Sequence, residues 1–349
     1  MSLQIGERKI GINVEPFIIA EMSGNHNQSL DKALKIVDAA AKSGAHAIKL
    51  QTYRADTITM DMKDKNFKIN DDNSLWKGEN LYDLYKKAYT PWEWHEKIFE
   101  HAKSLGIICF SSPFDETAVD FLEKLDTPAY KIASFENIHL PLIEKVAKTG
   151  KPIIISTGMA SIAELDEAVT LVRKSGCEQL CLLKCTSTYP ANPENTNIRT
   201  IPHLKKLFNT EVGLSDHTKG IGVAIAACSL GATLVEKHFT LNRADGGVDS
   251  QFSLEPSEMK LLVDETKRAW FSLGSIKYGP TESEQKSLIF RRSIYVKKDI
   301  KKGDKFSNSN ITIIRPGDGL HPRYLNFIYG KKASKDISAG NPFDESMIS

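Results

Sequence analysis

Long apolar runs are missing from this sequence. No stretch approaches the roughly 20 apolar residues that a membrane-spanning helix requires. The opening segment MSLQIGERKIGINVEP also lacks the apolar core of a signal peptide. We therefore expect a protein that remains in the cytoplasm and has no membrane partner.

A strong charge of one sign is also missing. Lysine and arginine together number 46, aspartate and glutamate number 44, and the net charge is +2. Such a balance creates no overall field that would attract nucleic acid or an anionic membrane. We expect no nucleic-acid partner, and any anionic ligand must be bound by a few local lysines.

Cysteine is scarce, with five residues in the chain. Cys177, Cys181 and Cys185 would form a metal-binding stripe on a helix, but the segment LCLLKCT is predicted to be a strand, which breaks up that stripe. The pattern favours ordinary buried thiols over a cysteine metal site.

From Phe17 onward the sequence alternates regularly between β-prone runs and amphipathic helical segments. Helical segments such as SLDKALKIVDAAAKSG and SIAELDEAVTLVRKSG have Ser29 and Ser161 as candidate N-caps. Eight repeats of this kind, ending near Gly274, predict an α/β fold, a (β/α)8 TIM barrel of about 250 residues, with an open, doubly wound sheet as the alternative. The predicted strands are FIIAEM, AIKLQT, IICFSS, AYKIAS, PIIISTG, LCLLKCT, VGLSDHT and LVEKHFT.

Two segments depart from this alternation. The polar and aromatic stretch from Arg54 to Thr90 follows the second strand, so in a barrel it would lie over the mouth of the active site. After Gly279 the composition changes to short strands and turns. We predict a catalytic barrel domain over residues 1–279, a linker over 280–290 and a small β-rich C-terminal domain over 291–349.

The inward faces of the predicted strands are unusually polar near their carboxyl ends. Residues two apart on a strand share a face, so the inward set follows from the alternation. Burying several charged groups around one axis costs on the order of several kcal/mol each unless they pair or bind a ligand. The sequence therefore predicts a shared anion and metal site, with an inward set of Glu21, Lys49, Gln51, Ser112, Lys131, Ser156, Lys184, Ser215, His217, Glu236 and His238.

The residue types in this set suggest separate roles. Lys49 and Lys131, with hydroxyl groups from Ser112, Ser156 and Ser215, suit a phosphate and a carboxylate. These five residues are the candidate anion site.

A second group of residues suits a metal ion and proton transfer. His217 and His238 on adjacent strands suit a divalent transition metal with positions left open for water or substrate. Glu21 and Glu136 are candidates for moving protons or for binding sugar hydroxyls. Asp216, whose parity is opposite to that of His217, is predicted to support the barrel wall.

The chain resembles the sialic acid synthase family along nearly its whole length, in the motifs AEMSGNHN, IKLQTY, SSPFD, YKIAS, STGM, GLSDHT and EKHFT. Within that family, SLWKGENLYDLYKKAYTPWEWH, VDSQFSLEP and RRSIYV are more similar to the branch that makes pseudaminic acid than to the branch that makes N-acetylneuraminate. Lys184 and Ser187 stand where sialic acid synthases typically carry His and Asn, which also favours the pseudaminic acid branch.

The resemblance implies a barrel followed by an antifreeze-like (SAF) capping domain that reaches across a domain-swapped homodimer to cover the partner's site. It implies an enzyme that condenses phosphoenolpyruvate with an acetamido sugar, which is 2,4-diacetamido-2,4,6-trideoxy-altrose in the pseudaminic acid branch. It also implies a divalent metal cofactor, Mn2+ or Mg2+, with His217 and His238 as its ligands.

The resemblance also implies roles for further residues. Those that match phosphoenolpyruvate-binding positions are Lys49, Ser112, Lys131, Ser134, Ser156, Ser187 and Ser215. Those that match sugar-side or proton-transfer positions are Glu21, Gln51, Glu136, Tyr189, Glu236 and Asp249, with Glu21 and Glu136 as the catalytic candidates. Arg315 in IRPGDGL matches the arginine that the partner's capping domain donates.

Two rival functions remain open at the level of sequence. The first is the same condensation with N-acetylmannosamine or a legionaminic acid precursor as the acceptor. The second is a non-catalytic phosphosugar sensor that keeps the barrel and the cap. Phosphate release in the presence of metal and both substrates distinguishes an enzyme from a sensor.

Overall fold

A computed structural model describes residues 3–72 and 74–349 of the chain. The described residues divide into two compact units, one up to Gly274 and one from Ser275 onward. Within these described ranges, no helix combines the length and the apolar character that crossing a membrane requires. The predicted limits of the linker, residues 280 and 290, stay predictions.

A short antiparallel hairpin precedes the barrel. It consists of β1 (Leu3–Ile5) and β2 (Arg8–Ile10). The side chains of Leu3, Ile5 and Ile10 are buried in one apolar cluster with Phe17 and Phe110, which face the barrel axis near the amino ends of their strands. The hairpin therefore closes the amino-terminal end of the barrel.

Eight parallel strands form the barrel. They are β3 (Phe17–Glu21), β4 (Ala47–Thr52), β5 (Ile108–Pro113), β6 (Tyr130–Ile132), β7 (Ile153–Ser156), β8 (Leu180–Cys185), β9 (Glu211–Asp216) and β10 (Leu234–His238). Because β10 pairs with both β9 and β3, the sheet closes on itself. The predicted TIM barrel is confirmed, and the open-sheet alternative is wrong.

Helices cover the outside of the barrel. Both predicted N-caps are confirmed: the Ser29 hydroxyl accepts from the Lys32 amide, and Ser161 forms a capping box with Glu164. The helices of this unit are α1 (Leu30–Lys42), α2 (Ala55–Ile58), α3 (Leu81–Ala88), α4 (Trp92–Ser104), α5 (Glu116–Lys124), α6 (Leu140–Lys148), α7 (Ile162–Lys174), α8 (Thr200–Phe208), α9 (Gly222–Ser229) and α10 (Pro256–Leu273).

Alternate residues of each barrel strand face either the axis or the helices. In β4, Ala47 belongs to the inner apolar cluster, whereas Ile48 and Leu50 pack in the outer core beneath the helices. Lys49 and Gln51 therefore share the inward face with Ala47. Apolar side chains fill the lower part of the axis, and polar side chains occupy its carboxyl end.

The segment from Arg54 to Thr90, which we name the mouth insertion, contains α2, a short 3-10 turn at Lys65–Phe67 and α3. Asn73 within it lies outside the described residues. The Gln28 side-chain amide, in the loop after β3, donates to the carbonyl oxygens of Lys87 and Tyr89. These bonds hold the end of the insertion beside the carboxyl end of β3, as the sequence predicts.

The second unit has its own small apolar core. Its strands β11 (Ser293–Val296) and β12 (Ile311–Ile314) pair in antiparallel fashion, and α11 (Leu325–Ile328) follows. Ile294, Phe306 and Phe343 are buried together in this core. The unit is the small β-rich C-terminal domain that the sequence predicts.

Candidate active site

Polar side chains converge at the carboxyl ends of the barrel strands. Glu21 ends β3 and His238 ends β10, and these two residues are register partners on adjacent strands. Lys49 is in turn the register partner of Glu21 on β4. The structure brings together, on the axis side, the predicted residues Glu21, Lys49, Gln51, Ser112, Lys131, Ser156, Ser215, His217, Glu236 and His238.

Two lysines and two glutamates, Glu21, Lys49, Lys131 and Glu236, form what we name the charged floor. Lys49 Nζ lies 2.7 Å from Glu21 Oε2 and 3.8 Å from Glu236 Oε1. Lys131 Nζ lies 3.8 Å from the same oxygen of Glu236. All four side chains are buried, and Glu236 Oε2 has no hydrogen-bond partner among the residues that the structure describes. A buried carboxylate oxygen without a hydrogen bond raises the free energy of the folded state, unless a ligand donates a hydrogen bond to it or it binds a proton.

The pKa values of the two glutamates of the charged floor are shifted in opposite directions. Burial raises the pKa of Glu21 to about 7, although Lys49 opposes the shift. Burial also raises the pKa of Glu236, but Lys131 and Lys49 lower it more, so the net shift is downward. At neutral pH the floor therefore holds Glu236 as a carboxylate, with Glu21 able to gain or lose a proton.

Serine hydroxyl groups and one backbone amide lie together after the carboxyl ends of β6 and β7, and one of the serines bonds to Lys131. Its Nζ donates to Ser156 Oγ over 2.6 Å, and the Gly158 amide donates to Ser134 Oγ over 3.2 Å. A Cβ atom at Gly158 would lie 2.1 Å from Ser187 Oγ and 2.6 Å from Ser134 Oγ, so a side chain there would occupy this space. We name Ser134, Ser156, Ser187 and the Gly158 amide the hydroxyl cradle; beside a buried lysine it suits an anion.

Two further predicted serines bond directly to the charged floor. Ser112 Oγ accepts from Lys49 Nζ over 3.1 Å, and Ser215 Oγ donates to Glu236 Oε1 over 3.2 Å. Both contacts hold floor side chains in place and offer hydroxyl groups that an anion can share.

His217 and His238 face each other beyond the floor. Their ring centroids are 5.3 Å apart, and both side chains are buried. His217 Nδ1 donates to the carbonyl oxygen of Thr186 over 2.9 Å, so Nε2 is the nitrogen that carries the lone pair when the ring is neutral. Within the described part of the chain, His238 Nδ1 has no hydrogen-bond partner, and Asp249 Oδ2 lies 3.6 Å from it.

This histidine pair fits a divalent cation. Burial lowers the pKa of His238 well below its usual range, so its ring is neutral. Burial also lowers the pKa of His217, but Cys185 raises it more, and a bound cation would displace the extra proton. Across residues 3–72 and 74–349, no group of three or more His, Cys, Asp or Glu is arranged to hold a metal ion. Two imidazoles would therefore leave the remaining positions to water and substrate.

The predicted sugar-side residues Tyr189 and Asp249 lie beside the histidines, whereas Gln51 bonds to the charged floor. The ring of Tyr189 lies 4.4 Å from that of His217, centroid to centroid. Asp249 is buried and accepts from Ser23 Oγ. The Gln51 amide donates to Glu21 Oε1 over 2.9 Å. Burial raises the pKa of Asp249, although its bond from Ser23 opposes the shift.

Glu136 belongs to a 3-10 turn, Ser134–Glu136, that follows β6. Its Oε2 is buried and finds no hydrogen-bond partner in residues 3–72 and 74–349. Burial raises the pKa of Glu136 to about 7, and the charge of Lys131 opposes that shift. A carboxyl group with this pKa suits proton transfer near neutral pH.

The inward assignment of Lys184 is wrong. In β8, Cys181 and Leu183 belong to the inner cluster and Leu182 to the outer core, so Lys184 faces the helices. Its Nζ donates to the carbonyl oxygen of Cys185 over 2.8 Å. The prediction gave β8 the wrong parity: alternation counted from Cys181 and Leu183 places the odd-numbered residues inward and excludes Lys184.

Cys185 is the inward residue that sequence reasoning missed. Its Sγ lies 3.9 Å from His217 Nδ1 and 3.7 Å from Ser187 Oγ. The signal that identifies it is strand alternation: Cys181 and Leu183 face the axis, so Cys185 shares their face. The interpretation of the cysteines as ordinary buried thiols does not use this signal.

Two further predicted residues remain, one in each unit. Asp216 faces outward, where its Oδ2 accepts from Lys237 Nζ over 2.7 Å, so its predicted position in the barrel wall is confirmed. Arg315 belongs to the second unit, where it is exposed.

Known proteins resemble both units. Residues 36–278 match the NeuB family, and residues 291–349 match the SAF domain. The chain is 45% identical over 339 residues to the pseudaminic acid synthase of Campylobacter jejuni, covering 97% of this chain and 98% of that protein. It is 44% identical to the pseudaminic acid synthase of Helicobacter pylori, covering 95% of this chain and 98% of that protein. The crystal structure of the N-acetylneuraminic acid (sialic acid) synthetase of Leptospira borgpetersenii matches with a TM-score of 0.74 and 33% identity, covering 82% of this chain and 95% of that chain.

Proposed function

The chain belongs to the NeuB family, and on that premise we propose that it condenses phosphoenolpyruvate with 2,4-diacetamido-2,4,6-trideoxy-altrose to give pseudaminic acid and phosphate. Similarity to two pseudaminic acid synthases over nearly their full length supports this acceptor over N-acetylmannosamine. The observation that carries the proposal is the meeting of the charged floor, the hydroxyl cradle and the paired histidines at one barrel mouth.

Phosphoenolpyruvate would bind to the lysines of the floor. Lys49 and Lys131 supply two buried ammonium groups, which suit the phosphate and the carboxylate of one small molecule. Their present bonds to Ser112 and Ser156 point serine hydroxyls at the same space. A bound anion would take over these donors and relieve the cost of burying two cations.

His217 and His238 would hold the divalent metal ion, Mn2+ or Mg2+. Such an ion, when bound, supplies a positive charge that polarises the aldehyde oxygen of the open-chain sugar. The protein contributes two buried rings, and the bond from His217 Nδ1 to Thr186 fixes the tautomer of one of them.

The proposed reaction requires proton transfers, and we assign them to carboxyl groups of this chain. A bond forms between C3 of phosphoenolpyruvate and C1 of the sugar, water adds at C2, and the C2–O bond to phosphate breaks to leave a ketone. One proton from that water reaches the former aldehyde oxygen, and the other leaves with phosphate. Glu21 and Glu136, each with a pKa of about 7, are the groups suited to carry these protons.

A capping role for the second unit and a domain-swapped homodimer belong to the same proposal. The match to the SAF domain and the exposure of Arg315 support it, because an exposed guanidinium is free to contact an acetamido oxygen bound in a partner chain. A cytoplasmic location is proposed as well, because all five cysteines are free and buried, as suits a reducing compartment.

Phosphate release from phosphoenolpyruvate tests this function. The purified protein is incubated with Mn2+ or Mg2+ and, in separate assays, with the trideoxy-altrose, N-acetylmannosamine or the legionaminic acid precursor. We expect the highest kcat/KM with the trideoxy-altrose. A higher value with another sugar would overturn the acceptor assignment, and binding of both substrates without phosphate release would identify a sensor.

A further inference from the structure

We propose that Trp76 and Tyr85 of the mouth insertion form an apolar wall that selects an acceptor sugar with a methyl group at C6 over one with a hydroxymethyl group. The inference rests on the proposed function, because it concerns the acceptor of that reaction. It assigns a specificity role to the two aromatic residues.

Trp76 connects the mouth insertion to the paired histidines through one intervening ring. Its ring centroid lies 5.7 Å from that of Tyr189, and Tyr189 lies 4.4 Å from His217. His217 is buried, whereas Tyr189 and Trp76 are both half-buried. The three rings therefore lead from the reacting end of the site to its rim.

The position of Trp76 is fixed by the protein. Its indole N–H donates to the carbonyl oxygen of Val248 over 3.0 Å. A Cβ atom at Gly24 would lie 2.5 Å from the Val248 side chain and 2.9 Å from the carbonyl oxygen of Ala88, so glycine lets both segments approach the loop after β3. The backbone that anchors Trp76 is thus packed tightly, as a selective wall requires.

Tyr85 stands on another side of the same mouth. Its ring lies 5.8 Å from that of Tyr53, which lies 5.1 Å from Phe114. Burial raises the pKa of Tyr85, and the nearby charge of Glu136 raises it further. The mouth insertion therefore places Trp76 beside Tyr189 and Tyr85 beside Tyr53, which follow the carboxyl ends of two different barrel strands.

The chemistry of the acceptor matches these surfaces. C1 of the sugar reacts beside the histidines, so C6, at the other end of the carbon chain, lies nearest the rim. A methyl group gains from burial against aromatic rings, whereas a hydroxyl group placed there loses its bonds to water. Apolar pockets reject an added hydroxyl by about 10²-fold at most.

A matched pair of sugars tests the wall. The kcat/KM of the full-length enzyme is measured with 2,4-diacetamido-2,4,6-trideoxy-altrose and with 2,4-diacetamido-2,4-dideoxy-altrose, which differ only in the hydroxyl at C6. We expect the wild type to prefer the 6-deoxy sugar by about 10-fold to 100-fold. Trp76→Ala should lower this ratio by about tenfold and leave the KM for phosphoenolpyruvate unchanged, and Trp76→Phe should keep most of the ratio.

Trp270 provides the control. It is also half-buried, and its indole N–H also donates to a backbone carbonyl, that of Ile12, over 2.9 Å. Trp270→Ala removes the same group elsewhere and should leave the sugar ratio unchanged. Trp76→Leu replaces Trp76→Ala if the alanine variant fails to fold.

The outcomes separate this inference from the proposed function. An equal loss of kcat/KM for both sugars in the folded Trp76 variant would overturn the wall, because Trp76 would then only support the loop. A wild type without preference between the two sugars would overturn it as well. A wild type that releases no phosphate with either sugar would refute the proposed function itself, and the wall with it.

Discussion

Lys237 on β10 donates to Asp216 on β9, and both side chains are excluded from water. In the sequence, Lys237 directly precedes His238, and Asp216 directly precedes His217. Asp216 Oδ1 also accepts from the amide of Thr218 over 2.9 Å, and Lys237 donates to the carbonyl oxygen of Thr218. The pair therefore links, from the outer side of the barrel, the two strand ends that carry the histidines.

Removing one member of this pair should destabilise the barrel. Lys237→Met leaves the Asp216 carboxylate buried without a counter-charge, which costs about 3–5 kcal/mol. The double variant Asp216→Leu/Lys237→Met should lose less, because no unpaired charge remains. Urea unfolding of the three proteins checks this order. A single variant as stable as the wild type would show that the pair contributes nothing.

The metal assignment predicts that His217→Ala and His238→Ala each weaken Mn2+ binding by about 100-fold or more, because each removes a direct ligand. Isothermal titration calorimetry on the apo proteins measures this without turnover. His203→Ala removes an exposed histidine on α8 and serves as the control. Unchanged affinity in both site variants contradicts the assignment.

The anion site predicts that Lys131→Met raises the KM for phosphoenolpyruvate, lowers kcat, or both, with kcat/KM falling by about 10²-fold. A buried anion would lose its counter-charge, a loss that costs about 2–5 kcal/mol. Lys184→Met is the matched control, since Lys184 is a half-buried lysine on the outer face of β8. An unaltered dependence on phosphoenolpyruvate in Lys131→Met rules the assignment out.

The carboxyl group of Glu136 predicts a pH dependence of stability. Its pKa of about 7 in the folded protein lies above the ordinary value of 4.5, so the folded state holds this proton more tightly than the unfolded chain. Stability should therefore fall as pH rises from about 4.5 to 7, by about 3 kcal/mol in total from this group. Glu136→Gln removes this contribution.

Urea unfolding at pH 5 and pH 8 measures the effect. The difference in unfolding free energy between the two pH values should be smaller by about 3 kcal/mol in Glu136→Gln than in the wild type. Equal pH dependence in both proteins would show that Glu136 titrates in its ordinary range.

The proposed cap predicts complementation between two inactive chains. In a mixed dimer of Arg315→Ala and His217→Ala, one site would combine an intact metal pair with an intact arginine, and the other site would carry both defects. Random exchange makes half of the dimers mixed, so about one quarter of wild-type activity should return if the sites are independent. Native mass spectrometry verifies exchange, and exchanged dimers without phosphate release would contradict a role for Arg315 across the dimer.

Much of the floor was predictable from sequence because strand alternation is a local rule. With His217 and His238 on the inward face, the same parity predicts that Glu21 and Lys49 also face inward. The structure places Lys49 Nζ 2.7 Å from Glu21 Oε2. The prediction failed at Lys184, because the parity assigned to β8 was shifted by one residue. Local patterns are reliable here because each barrel strand is held in register by both neighbours.

The aromatic wall was not predictable in the same way. The sequence placed the mouth insertion over the site, but the contact between Trp76 and Tyr189 joins segments that are distant along the chain and depends on the path of an irregular loop. No periodicity fixes that path. The packing allowed by Gly24, which decides where Val248 and Trp76 lie, becomes visible only in three dimensions.

The hairpin of β1 and β2 also decides from which end the barrel is reached. Because Leu3, Ile5 and Ile10 fill the amino-terminal end, molecules enter and leave past the strand ends that bear His217 and His238. For the proposed reaction, with phosphoenolpyruvate bound to the lysines of the floor, we expect phosphoenolpyruvate to bind before the sugar. We likewise expect the nine-carbon product to leave before phosphate, because the hairpin closes the other end of the barrel.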